Sequence, residues 1–336
     1  MIPTMMKALG IGEEGTYNTA VAASMWLPVK KTVDLEPEIQ TLKTDHLRQK
    51  AVTQEEEVAQ GIRSWKGKSS SAILTEGPAL TTLLKHHFGK VVTAASGGGS
   101  NYDHTFEPNA GQFKGLTLIV KQGSDNQIVG SGGRVVGVKL ACAVGQFMLA
   151  DLDFEGGSYA EEASAGAVSL PTVKEYYLFR DAELQVGGTA YGISSFELDL
   201  KRTVAAGEAE SYELGSGERA ALDQTEMEIS GVIKRRYALD GVSNVYSSLF
   251  QELFGAFTTT ELVLTVTGSQ IGSTGEYFTV TATVQAKVGK PKRTDAGGVI
   301  LEEVPFTCVE TSTDAALTLI MRDSVSTPAS ATGDYA

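Results

Sequence analysis

Val33-Asp-Leu-Glu-Pro-Glu-Ile39 and Phe196-Glu-Leu-Asp-Leu200 alternate apolar and acidic residues with a period of two. That period belongs to a half-buried β-strand, because successive side chains of a strand leave on opposite faces. Asp151-Leu-Asp-Phe-Glu155 repeats the pattern. Further runs rich in Val, Thr and Ile occur at residues 116–121, 135–144, 261–267, 277–288 and 316–322, each bounded by Gly, Ser or Asp. Two segments read as helix, residues 77–89 and 243–255, with apolar residues one helical turn apart and glycine at the end. The chain is therefore expected to be mainly β.

The two helical segments align without a gap. Leu83, Phe88 and Gly89 correspond to Leu249, Phe254 and Gly255, a step of 166 residues, about half of the 336-residue chain. The same step pairs Ser64 with Ser230, Lys68 with Lys234, Lys121 with Lys287, Val138 with Val304 and Cys142 with Cys308. A single step that persists through strands on both sides of a helix reads as an internal duplication. The expected organisation is an N-terminal arm (residues 1–25), a first domain (26–160), a linker (161–175), a second domain (176–323) and a flexible tail (324–336). The linker is drawn from the Gly-, Ala- and Ser-rich stretch 156–171.

Composition narrows the function. Lys and Arg number 28 against 41 Asp and Glu, a net charge of −13. A protein that grips nucleic acid through its phosphates needs the opposite balance. The N-terminus lacks the apolar core of a secretory signal, and no apolar run reaches membrane-spanning length. Two cysteines are too few for a disulfide framework, which fits assembly in a reducing cytoplasm.

Chemistry is sparse. His86-His87 lacks the spacing of a metal-binding helix and reads as solvent-facing or interface histidines. Gly130-Ser-Gly-Gly-Arg-Val-Val-Gly137 lies between strand signals instead of opening a helix, so it reads as a flexible hairpin tip and not a phosphate loop. Asp151, Asp153 and Glu155 have the spacing of a calcium loop's opening, but Leu152 and Phe154 make them one face of a strand. Trp26 and Trp65 read as core or interface anchors. No catalytic residue, cofactor or metal ligand is assigned, and the chain is expected not to be an enzyme.

Ile11-Gly-Glu-Glu-Gly-Thr-Tyr-Asn-Thr-Ala-Val-Ala-Ala-Ser-Met-Trp-Leu-Pro-Val29 resembles the opening of bacteriophage tail tube proteins: a glycine, an acidic pair, a tyrosine, Thr-Ala-Val-Ala, then a strand ending in proline. The order of the succeeding elements is also similar: the strand from Val33, Gly61-Ile-Arg-Ser-Trp-Lys-Gly67, then Ala72-Ile-Leu-Thr-Glu-Gly-Pro78 leading into a helix. The resemblance implies β-sandwich or split-barrel domains, each with one flanking helix, assembled into stacked six-fold rings. With two such domains in one chain, three chains would make a pseudo-sixfold ring.

On this reading Val33, Leu35, Ile39, Phe196, Leu198 and Leu200 face helix and core, while Asp34, Glu36, Glu38, Glu197 and Asp199 face the lumen. An acidic bore lets double-stranded DNA pass without specific binding during genome ejection. Lys290, Lys292 and Arg293 are candidates for contacts between rings, and the N-terminal arm for docking on the next ring. Expected partners are further copies of the chain, a tape measure and a tail terminator, with no membrane; the expected location is the virion tail, after assembly in the host cytoplasm. The alternative is another virion or surface β-protein: a tail terminator, a capsid decoration protein or a carbohydrate-binding adhesin.

Overall fold

Residue alternation becomes burial alternation. Along residues 149–156 every second side chain is buried, with Ala150, Leu152 and Phe154 inside, and along residues 195–204 Phe196, Leu198 and Leu200 are inside. The computed structural model describes residues 8–29, 33–43, 58–73, 77–96, 101–111, 113–122, 126–162, 167–170, 176–204, 224–236, 259–271, 275–295 and 300–333. The second helix expected from the sequence, residues 243–255, and His46 lie outside these residues.

The first half holds β1 (Ala8–Glu13), β2 (Met25–Pro28), β3 (Val33–Lys43), β4 (Val58–Ile73), helix α1 (Pro78–Phe88), β5 (Lys90–Ser96) and β6 (Asn101–Phe106). It continues with β7 (Leu116–Gln122), β8 (Asn126–Ala143), β9 (Leu149–Gly156) and β10 (Ser158–Glu162). The second half holds β11 (Ala182–Val186), β12 (Thr189–Tyr191), β13 (Ser195–Val204), β14 (Gln224–Arg236) and β15 (Thr260–Gln270). It ends with β16 (Tyr277–Val288), β17 (Lys292–Asp295), β18 (Ile300–Cys308), β19 (Leu317–Asp323) and β20 (Ala331–Thr332). The protein is mainly β, all the ladders among the described residues are antiparallel, and these strands form one linked sheet system that folds over a shared core, as a β-sandwich does.

The ladders of the two halves run in the same order. β1 pairs with β2 and β7, as β11 pairs with β12 and β15. The row β3-β4-β9-β8-β7 has its counterpart in β13-β14-β18-β16-β15, with β17 continuing β16 along β18. β10 lies on β8 as β19 lies on β16. In this order Cys142 on β8 has no counterpart in Cys308 on β18, so the step of 166 residues does not run on past the helix. The halves are also joined: β8 pairs with β13, and β19 and β20 return to β6 and β5.

Several local expectations need correction. Residues 130–137 are not a hairpin tip but lie inside the 18-residue strand β8, almost wholly buried. The cause is Trp65, 0% exposed, whose indole Nε1 donates to the Ser131 carbonyl at 2.9 Å. A Cβ at Gly130 or Gly156 would lie 2.7 or 2.1 Å from that ring, so the glycines make room for it. The expected N-terminal arm carries β1, buried between β2 and β7, because Leu9 and Ile11 complete the core. Within the stretch read as linker, residues 158–162 form β10.

The tail read as flexible is hydrogen-bonded to the first half: Thr93 Oγ1 donates to the Pro328 carbonyl at 2.6 Å and Gly333 N to the Gly89 carbonyl at 2.9 Å. His86 and His87 are buried, not solvent-facing. Their helix packs against β8 and β2, which places both imidazoles inside.

Candidate functional site

The two acidic strands that decide the fold lie in one row of eight, β3-β4-β9-β8-β13-β14-β18-β17. One side of this row is core; the other carries charge. Asp34, Glu36 and Glu38 are exposed on β3, and Glu197 and Asp199 are half-buried on β13. The register sets Asp34 opposite Lys68 and Glu36 opposite Lys66 on β4, and Lys68 and Lys66 in turn opposite Asp153 and Glu155 on β9. Lys139 on β8 lies between Asp151 on β9 and Asp199 on β13. The face is thus striped: acidic on β3, basic on β4, acidic on β9, basic on β8, acidic on β13. Opposite charges on neighbouring strands favour this register.

Three ion pairs join neighbouring stripes and a fourth lies within β13. Lys66 reaches Glu38 at 3.1 Å, Lys68 reaches Asp153 at 3.4 Å, Lys139 reaches Glu197 at 2.9 Å and Lys201 reaches Asp199 at 2.8 Å. The hydrogen bond to Glu197 raises the Lys139 ammonium above its ordinary value, and that to Asp199 does the same for Lys201. All four pairs are partly solvated, so each contributes little to stability. Across β3, β4, β9, β8 and β13 eight carboxylates meet these four lysines, which leaves the face negative. The lysines were missed in the sequence, although Lys66-Gly-Lys68 has the two-residue spacing that puts both on one strand face.

Ile39 departs from its expected place. It is 50% exposed at the outer strand of the row, whereas Leu200 on the inner strand β13 is 0% exposed. The basic cluster Lys290, Lys292 and Arg293 lies at the opposite edge of the same row, on and before β17. Arg293 approaches the buried Glu302 at 3.8 Å, which also accepts from Arg235 at 3.2 Å.

The acidic pair in the N-terminal motif is a local clamp. Glu13 binds Lys85 and His86 on α1, the latter at 3.0 Å; the His86 hydrogen bond lowers the Glu13 carboxyl to about 2. Burial lowers His86 itself to about 4, and His87, which bonds to the Val135 carbonyl, likewise to about 4. Glu14 accepts from Asn18 N at 2.8 Å, Thr117 Oγ1 at 2.9 Å and Gly132 N at 2.8 Å, and its burial raises it above the ordinary carboxyl value. One carboxylate ties β1 to the helix and the other ties the following turn to the β7–β8 hairpin.

Among the described residues no three His, Cys, Asp or Glu converge on a metal-sized site, and no helix is long and apolar enough to cross a membrane. Burial raises the Cys142 thiol to about 11 and that of Cys308 to about 12, which keeps both in the unreactive protonated form. A family model described as phage tail tube protein matches residues 6–308. No curated protein matches the chain. The family match displaces the terminator, decoration and adhesin readings in favour of a structural component of the virion tail. The chain belongs to the phage tail tube protein family.

Proposed function

We propose that this chain is an internally duplicated tube subunit, three copies of which close into a pseudo-sixfold ring around a negatively charged bore. The observation that carries the reading is the join between halves. Two sets of ladders in the same order are connected side by side, β8 to β13, so one chain already contains two neighbouring units and the contact between them. A row that ends in open edges invites pairing with another strand, and ring closure removes the edges.

Asp34, Glu36, Glu38, Glu197 and Asp199 then face the lumen. The lysines interleaved with them are outnumbered by carboxylates, so along β3, β4, β9, β8 and β13 a passing duplex meets a net negative wall. At a Debye length of about 8 Å this repulsion acts only near the wall, which suffices to deny the DNA a binding minimum. The chain performs no catalysis on this reading, and its partners are other copies, a tape measure threading the bore and a terminator at the end.

Native mass and electron microscopy test the proposal together. Rings of three chains with six-fold-like lobes, stacked into hollow tubes, are the expected result. Rings of six chains would refute the stoichiometry, and discrete monomers at assembly concentrations would refute the tube.

A further inference from the structure

We infer that β3 of one copy pairs antiparallel with β17 of the next, in a register that sets Glu38 opposite Thr294. This rests on the ring reading above and names its lateral contact. Among the described residues β3 pairs only with β4, and β17 only with β18, so the row has an acidic strand at one edge and a basic one at the other. A second copy is the occupant that both edges fit.

The register follows from the join inside the chain. The bridge Lys68–Asp153 at 3.4 Å has its counterpart in Lys234–Glu303 at 3.5 Å, on β14 and β18. Moving one strand outward, Lys68 faces Asp34 and Lys234 faces Ser195; Asp153 faces Gly137 and Glu303 faces Lys292. Asp34 therefore stands where Ser195 stands, and Lys292 where Gly137 stands. The inner join pairs Lys201 with Gly137 and Asp199 with Lys139. Its image between copies pairs Gln40 with Lys292 and Glu38 with Thr294.

Two observations independent of the ladder agree with it. Ile39, the counterpart of fully buried Leu200, is 50% exposed and would be covered by the Arg293 stem. On the other face Glu38 would lie diagonal to Lys292, which moves that lysine from ring stacking to the join within a ring.

Cysteines placed at the two edges test it in the full-length protein. Glu38→Cys and Thr294→Cys chains, mixed, assembled with excess wild type and mildly oxidised, should give covalent pairs at least ~10-fold above an Asp34→Cys and Thr294→Cys mixture. The latter is displaced by four residues, roughly 13 Å along the strand. Neither variant alone should link, because the contact is head-to-tail. Tubes that form without the 38–294 bond, or that link the displaced pair equally, overturn the register; linking by a single variant overturns the head-to-tail contact. Wild-type chains that never associate would instead refute the ring itself.

Discussion

The two halves solve one packing problem with opposite hands. In the first, Trp65 on β4 faces Gly156 on β9; in the second, Gly231 on β14 faces Phe306 on β18. The strands carrying these pairs correspond, yet the large ring has changed sides of the rung. A Cβ at Gly156 would meet the indole at 2.1 Å, and one at Gly231 would meet the Phe306 ring at 2.2 Å. The comparison teaches that ladder order and register are held fixed while volume is free to move across a rung, provided the pair still fills the space.

The largest expected effect is removal of the bigger ring. Trp65→Ala should cost about 3–5 kcal/mol, read as a drop in the denaturation midpoint, since it empties a site lined by glycines that cannot collapse into it. Gly156→Ala and Gly231→Ala should each cost about 1–3 kcal/mol through overpacking. They should differ in rescue: Trp65→Phe should restore stability to Gly156→Ala. Phe306→Leu should not fully restore Gly231→Ala, because that Cβ also meets the Glu197 carbonyl at 2.5 Å. Equal rescue in a double-mutant cycle would break the comparison.

Acid should act on the first half. His86 and His87 are held neutral, with folded values near 4 against an ordinary 6.5. The unfolded chain therefore binds more protons between these limits, so stability is full above about pH 6.5 and is lost as pH falls toward 4. Each histidine should account for about 2 kcal/mol at pH 5, and His87→Gln should flatten the denaturation midpoint over this range. The positions one sequence step further, Glu252 and Leu253, supply no such group. The smallest effect belongs to the matched bridges: Lys68→Ala and Lys234→Ala should each change stability by less than about 1 kcal/mol, and by similar amounts.

The sequence made legible whatever two-residue alternation writes down. β3, β9 and β13 were visible because water lies on one side and core on the other, and the family likeness rested on the same strands and the N-terminal motif. The glycine-rich half of β8 was not, because glycine signals a turn locally while here it answers a tryptophan 65 or more residues away. β1 hid for a related reason: Gly10 and Gly12 lie under Trp26, Ala23 and Val21, so a strand looked like an arm. The buried histidines follow from packing against β8, which no spacing within the helix records. The carboxylates of the charged face were legible singly, but the lysine stripes between them depend on which strands become neighbours.

The return of β19 to β6 and of β20 to β5 imposes an order of events in the cell. A ribosome makes the first half long before the strands that finish its sheet, so a nascent or prematurely terminated chain keeps β5 and β6 without these partners. Only a chain translated through Thr332 acquires a finished first half, so a fragment that stops before β19 should be less stable there than the longer chain.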